Sequence, residues 1–325
     1  MQKRIIEKAI ELLRSGTVDR VLGWKTGEFF YDLTPAVFET AEEVERDFVF
    51  SGFSGANLSK YLIAQSRKGG KVAVFLKPCD SYSFQQLLKE HRIIRENVYV
   101  IGIACDSMLD MEKIRAAGCE GVIAVRENAD TVSVETLYGD VNLPREDCLL
   151  ERCKVCKSKK VVVFDEMIGE NGEELETSRF DRIAELEAMS PEERFAFWRG
   201  ELSRCIRCNA CRNVCPACSC EKCVFDNDKS GLRNKAAADS FEENLFHIIR
   251  AFHVAGRCTD CGECSRVCPQ NIPLHLLNRK FIKDINELYG VYQAGADMES
   301  KSPLTNFTLD DCEPSVVYER GGAKG

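Results

Sequence analysis

No part of this 325-residue sequence stays apolar for the length, about eighteen residues, that a membrane-crossing helix needs. The apolar runs are short, and "VYVIGIA" and "KVVVF" read as buried strands. The N-terminal "MQKRIIEKAIELLRSG" has charges where a secretory signal would have its apolar centre, so no signal peptide is expected. Basic residues are not in excess: the net charge is −8, which argues against nucleic acid as a partner. Neither GxGxxG nor GxxxxGK followed by Ser or Thr occurs, so the usual phosphate-cradling loops are missing. There are four histidines, and they do not share a helix face: His247 and His253 are wrongly spaced for it, and His91 and His275 stand alone. All four are expected to pack or cap. No hydrolytic or acid–base constellation can be built from them. The two tryptophans, Trp24 and Trp198, are expected in the core.

Against these scarcities one residue is abundant. Cysteine occurs 18 times. A chain of this length can bury an ordinary core and needs no disulfide framework. Many thiols without a secretory signal point instead to metal binding or redox work in the cytoplasm.

Residues 1–170 alternate between helical and strand periods. Residues 3–14 pattern as an amphipathic helix and "RVLGW" as a strand; "FVFSGFSGANLSKYLIAQSRKGG" reads as strand, glycine turn and helix. "KVAVFLK", "SYSFQQLLKEH", "VYVIGIAC" and "DMEKIRAAG" continue as strand, helix, strand, helix, and "GVIAVRENADTVSVETLYG" as two strands around an Asn-Ala-Asp turn. "KKVVVFDEMIG" closes the unit. The alternation predicts an α/β N-terminal domain with a largely parallel sheet. Polar "IGENGEELETSRF" follows as a linker. Residues 171–290 are predicted to be mainly helical, with "SPEE" as a helix start. Residues 291–325 show little periodicity and read as a C-terminal tail.

Cys205, Cys208, Cys211 and Cys215 follow C-x2-C-x2-C-x3-C and precede Pro216; Cys258, Cys261, Cys264 and Cys268 repeat the spacing before Pro269. This is the bacterial ferredoxin run, in which the fourth cysteine of each block ligates the other block's cluster. One 4Fe-4S cluster is therefore expected on Cys205, Cys208, Cys211 and Cys268, and a second on Cys258, Cys261, Cys264 and Cys215. Residues 171–290 thus read as a ferredoxin-like dicluster domain, suited to passing single electrons. Zinc is the alternative metal, although structural zinc sites usually pair two CxxC motifs across a longer loop. Cys218, Cys220 and Cys223 could ligate a further metal or be thiols packed beside a cluster. Cys79 and Cys105 end successive strands, which in a parallel sheet places them at one edge, and Cys153 and Cys156 form a CxxC beyond. Four thiolates suffice for a third cluster; two buried cysteines plus a zinc or redox CxxC is the other reading. Lys77 and Asp80 flank Cys79 and could tune a cluster or touch a flavin, with a solvated or structural role equally open. Cys119, Cys148 and Cys312 are spare.

The segments "KPCDSYSF", "VIGIACDSM", the CxxC, "CIRCNACRNVCPACSC" and "CTDCGECSRVCP" together resemble the beta subunits of deazaflavin-reducing hydrogenases and formate dehydrogenases. The dicluster part is also similar to the corresponding iron–sulfur chains of anaerobic sulfite reductases and to sulfhydrogenase beta subunits. The resemblance spans most of residues 45–290. It implies an electron-carrying subunit of a cytoplasmic oxidoreductase complex in an anaerobe, with catalytic and flavin subunits as partners. It also implies a third cluster on Cys79, Cys105, Cys153 and Cys156. Some such chains bind FAD; the turn at Gly52 and Gly55 is where a phosphate could sit, and a plain strand-to-helix turn is the other reading. Two alternatives stay open: a flavoenzyme acting directly on a deazaflavin or nicotinamide coenzyme, and a zinc-stapled interaction module.

Overall fold

A computed structural model describes residues 1–227, 229 and 240–306. Among the described residues eight strands form two sheets. The first has the order β2-β1-β3-β4-β8, built from β1 (Arg20–Thr26), β2 (Leu33–Phe38), β3 (Val72–Leu76), β4 (Val98–Ile103) and β8 (Glu166–Ile168). β1, β3, β4 and β8 run parallel; β2 pairs antiparallel with β1 and makes the sheet mixed. Every residue of β3 is buried, as expected of a central strand covered on both faces. The helix Gln2–Arg14 covers the sheet with Ile5, Ala9 and Leu12. β2 has no counterpart in the sequence reading, and it tolerates Pro35 because an edge strand leaves half its donors unpaired.

β5 (Val122–Glu127), β6 (Thr131–Thr136) and β7 (Val141–Pro144) form a separate antiparallel sheet. The hairpin expected around Asn-Ala-Asp is present, but it stands apart from the parallel sheet. Two expected strands are absent. "FVF" contributes one bridge, Lys25 with Phe48. "VVVF" is not a strand because its backbone is taken by side chains: Val161 N–H and C=O bond to the Asn171 amide, and Val162 N–H donates to Ser81 Oγ at 3.1 Å. The helix expected after the glycine turn shrinks to a 3-10 turn, Ser59–Tyr61, and the short helix Leu62–Gln65.

The helical part begins with Asp181–Ala188 and Pro191–Leu202, the latter opened by a capping box of Ser190 and Glu193. Ser240–Val254 and Leu274–Tyr289 follow, with two short helices, Ala210–Val214 and Glu263–Arg266, inside the cysteine blocks. The segment expected as a linker is fastened along its length. Glu174 bonds to the Tyr82 hydroxyl and pairs with Lys157, and Arg179 is buried against Asp260. Among the described residues no helix is long and apolar enough to cross a membrane. Cys312 and most of the expected tail lie outside the described residues.

Candidate metal centres

The two cysteine blocks fold into loops of the same shape. Arg207 (φ 56°) and Asn209 (φ 61°) bracket Cys208 in the left-handed region, and Asp260 (φ 61°) and Gly262 (φ 65°) bracket Cys261 at matching positions. Holding a non-glycine residue there costs about 1–2 kcal/mol. Paying that at corresponding places in two loops signals a constraint on where the cysteines point. The Arg207 amide donates to Cys205 Sγ at 3.4 Å.

The fourth cysteines change company. Cys205, Cys211 and Cys268 share a packed cluster with Cys264, while Cys215 packs with Cys258 and Cys218. Burial pushes the Cys211 thiol up to about 11, with Cys264, Cys205 and Cys268 adding to it. Burial raises Cys258 and Cys261 as well, and Cys215 is among the charges that raise both. Cys208 is exposed. Among the described residues no three Cys, His, Asp or Glu side chains converge as one metal ion requires. A cubane asks for something else, since its four thiolates bind four separate irons around a volume.

Cys79 lies in the first turn of the helix Pro78–Lys89, after β3, and Cys105 follows the end of β4, so both emerge at one edge of the parallel sheet. Cys153 belongs to the short helix Glu151–Lys154, with Cys156 just beyond. Cys79, Cys153 and Cys156 line one small cavity with Cys261 of the second loop. Burial lifts the Cys105 thiol to about 12, with Cys153 and Cys156 adding to the rise and Lys77 and Lys159 opposing it. Lys77 and Asp80 are not solvated flanks. They form a fully buried ion pair at 2.8 Å, and Lys77 Nζ also donates to the Ala56 carbonyl at 3.0 Å and lies 4.5 Å from the Trp24 ring centroid.

Between this set and the second loop runs a seam of buried charge. Glu263 is fully buried; its carboxylate accepts from Arg152 Nη1 at 2.6 Å, Arg266 Nε at 2.7 Å and the Asn57 amide at 3.1 Å. Burial alone would raise its carboxyl, but Arg266 and Arg152 outweigh it and hold it near 2. Arg152 reaches further, to the Gly55 carbonyl at 2.6 Å and the Cys261 carbonyl. Asn57 Nδ2 donates to Ser83, whose hydroxyl shares a hydrogen bond with Thr259. A cavity of about 480 Å³ opens beside the seam, lined by Tyr31, Phe53, Gly55, Lys113, Arg152 and His275 among others. Gly55 therefore faces a cleft, whereas a Cβ at Gly52 would collide with Glu127.

Reading the sequence missed several residues. His247, expected to pack or cap, is buried with Nε2 3.2 Å from Cys205 Sγ; burial, Arg250 and Arg207 lower it to about 3. Arg152, Glu263 and Arg250 gave no signal beyond their closeness to cysteines. Cys218 hydrogen-bonds to Cys215 and lowers it; Cys220 is exposed, and Cys223 lies beside Arg212. Cys119 and Cys148 are buried beside the antiparallel sheet, in ordinary core.

Residues 201–272 match the 4Fe-4S dicluster domain family. The chain thus contains an iron–sulfur domain of the dicluster class. Over its length it is similar to the F420-dependent formate dehydrogenase subunit beta of Methanocaldococcus jannaschii, at 25% identity over 91% of this chain and 92% of that one. The corresponding subunit 1 beta of Methanococcus maripaludis is 24% identical over 90% of each chain. A chain of the F420-reducing NiFe hydrogenase complex from Methanosarcina barkeri aligns with TM-score 0.38 and 17% identity, covering 49% of this chain and 64% of that one. The resemblance read from the cysteine motifs is borne out by the two formate dehydrogenase relatives and the dicluster match.

Proposed function

We propose that the chain is an iron–sulfur electron-transfer subunit of an oxidoreductase complex, working in the cytoplasm of an anaerobe beside catalytic and flavin subunits. Residues 1–170 form the α/β domain, residues 171–290 the ferredoxin-like domain, and residues 291–325 the tail. One 4Fe-4S cluster takes Cys205, Cys208, Cys211 and Cys268. A second takes Cys258, Cys261, Cys264 and Cys215. A third takes Cys79, Cys105, Cys153 and Cys156. The observation that carries this reading is the shared cavity of Cys79, Cys153, Cys156 and Cys261, which sets the N-terminal cysteines against the second loop. Clusters in those places would set the N-terminal site beside the second cysteine loop.

Iron, zinc and acid-labile sulfide per chain, measured on anaerobically purified protein, test it. Three cubanes require about twelve irons and two require about eight. Cys105→Ser should remove iron from the third site alone. Eight irons in the unmodified chain would refute the third cluster, and zinc with little sulfide would refute the whole reading.

A second reading is favoured by the cleft beside the seam. Its volume suits a small-molecule cofactor, Tyr31 and Phe53 give it aromatic walls, and the cations on its wall, Lys113 and Arg152, are paired with Glu151 and Glu263. A flavin bound there would exchange electrons with the third cluster. Flavin released by denaturing the protein, and its loss on Gly55→Trp with iron retained, would support this. Flavin-free protein that also fails to take up added FAD would refute it.

A further inference from the structure

The helix Ser240–Val254, which separates the two cysteine blocks, carries a buried charge that has no carboxylate partner among the described residues. Arg250 is 3% exposed. Its Nη2 donates to the Cys211 carbonyl at 3.2 Å, and its Nε has no partner. Among the described residues it makes no ion pair with a carboxylate. Other buried cations are provided for: Lys77 by Asp80, Arg152 by Glu263, Arg279 by Asp260 at 3.0 Å. Arg20 also lacks a carboxylate, but it donates to the carbonyls of Gly69 and Gln65 at 2.7 and 2.8 Å.

A guanidinium withdrawn from water needs a negative partner, and an unpaired one is strongly unfavourable. The groups around Arg250 are sulfur. Cys264, Cys215, Cys211 and Cys218 are the neighbours that favour its charge against burial. They come from both loops, so the guanidinium stands between the two thiol sets. Among the described residues no carboxylate balances this charge. With each set deprotonated around a cluster it is balanced.

We propose that Arg250 is the internal counter-ion of the two dicluster clusters, a fixed positive charge that eases their reduction and limits their mutual repulsion. This rests on the assignment of two clusters to the eight cysteines. A cubane held by four thiolates is anionic, and each electron it accepts adds one negative charge. A cation held beside both clusters therefore stabilises the reduced state more than the oxidised one. Arg250 is a positioning residue in this sense: it binds no iron and sets the potential of groups that do. At an effective dielectric near 20, a unit charge a few ångströms away changes such an equilibrium by more than tenfold.

The test is redox titration followed by electron paramagnetic resonance on the full chain, with iron and sulfide measured on every sample. Arg250→Met should keep its iron while the reduced-to-oxidised ratio at a fixed potential falls at least tenfold, about 59 mV for a one-electron couple. Arg250→Lys, which keeps the charge, should stay close to the unmodified protein. Loss of iron from the Met variant, with the Lys variant retaining iron and potential, also supports a requirement for charge. Unmoved potentials in an iron-replete Met variant would overturn the proposal. So would loss of iron from both variants, which would assign Arg250 to packing. Failure of the cluster assignment would show separately, as fewer than about eight irons in the unmodified chain.

Discussion

Replacing Glu263 by glutamine would break the seam at its centre while keeping the side chain's shape. The carboxylate accepts three hydrogen bonds from two guanidiniums, Arg152 Nη1 at 2.6 Å and Arg266 Nε and Nη2 at 2.7 and 2.9 Å, and a fourth from Asn57. Glutamine leaves one acceptor oxygen and turns an NH2 group toward donors. Breaking a buried pair by removing one partner typically costs about 3–5 kcal/mol. Arg266 is 24% exposed and can turn to water, whereas Arg152, at 7%, cannot, so the lower end, about 3 kcal/mol, is expected. At roughly 2 °C per kcal/mol for a chain of this size, the midpoint should fall about 6 °C. The assay is anaerobic thermal unfolding at one scan rate, with iron content checked, on Glu263→Gln, Arg152→Met and the double variant. Removing both partners should recover much of the loss, because the uncompensated charge goes with the pair. A midpoint shift below about 2 °C, or a double variant that simply sums the two losses, would refute the reasoning.

Two smaller tests reach other parts of the fold. His275 is partly buried, and the loss of water around it lowers it to about 4, while its Nδ1 pairs with the Ser265 hydroxyl at 2.8 Å. The folded chain therefore resists protonation that the unfolded chain accepts near 6.5, and stability should drop as pH falls from about 6.5 to 4; His275→Gln should flatten that limb of a denaturation-against-pH profile, and an unchanged slope would count against the burial argument. Asn209 sits at φ 61°, so Asn209→Ala should cost about 1 kcal/mol in denaturant unfolding while Asn209→Gly costs little; equal losses would show that backbone strain is not the cause.

The local features were legible in the sequence. Fixed cysteine spacing followed by proline located both loops, and the β3 and β4 runs placed Cys79 and Cys105 at one sheet edge, because a buried parallel strand has a composition of its own. β2 was not legible: it is an edge strand with a proline, and neither period 2 nor β propensity marks it. "VVVF" misled because its composition is that of a strand while Asn171 claims its backbone. The seam could not have been read at all. Glu263 bonds to Arg152 across 111 residues and to Asn57 across 206, and in a linear sequence each looks like a solvated charge.

That same seam decides what kind of carrier this can be. Where a redox domain swings on a tether, each delivery waits on a diffusive search, and turnover slows as solvent viscosity rises. Here Arg152 and Glu263 clamp the second cysteine loop onto the sheet domain with buried contacts. No reorientation stands between the N-terminal cysteines and Cys261. With the third cluster proposed on Cys79, Cys105, Cys153 and Cys156 in place, passage from it to the second loop would keep time with distance and driving force alone, indifferent to a thicker solvent.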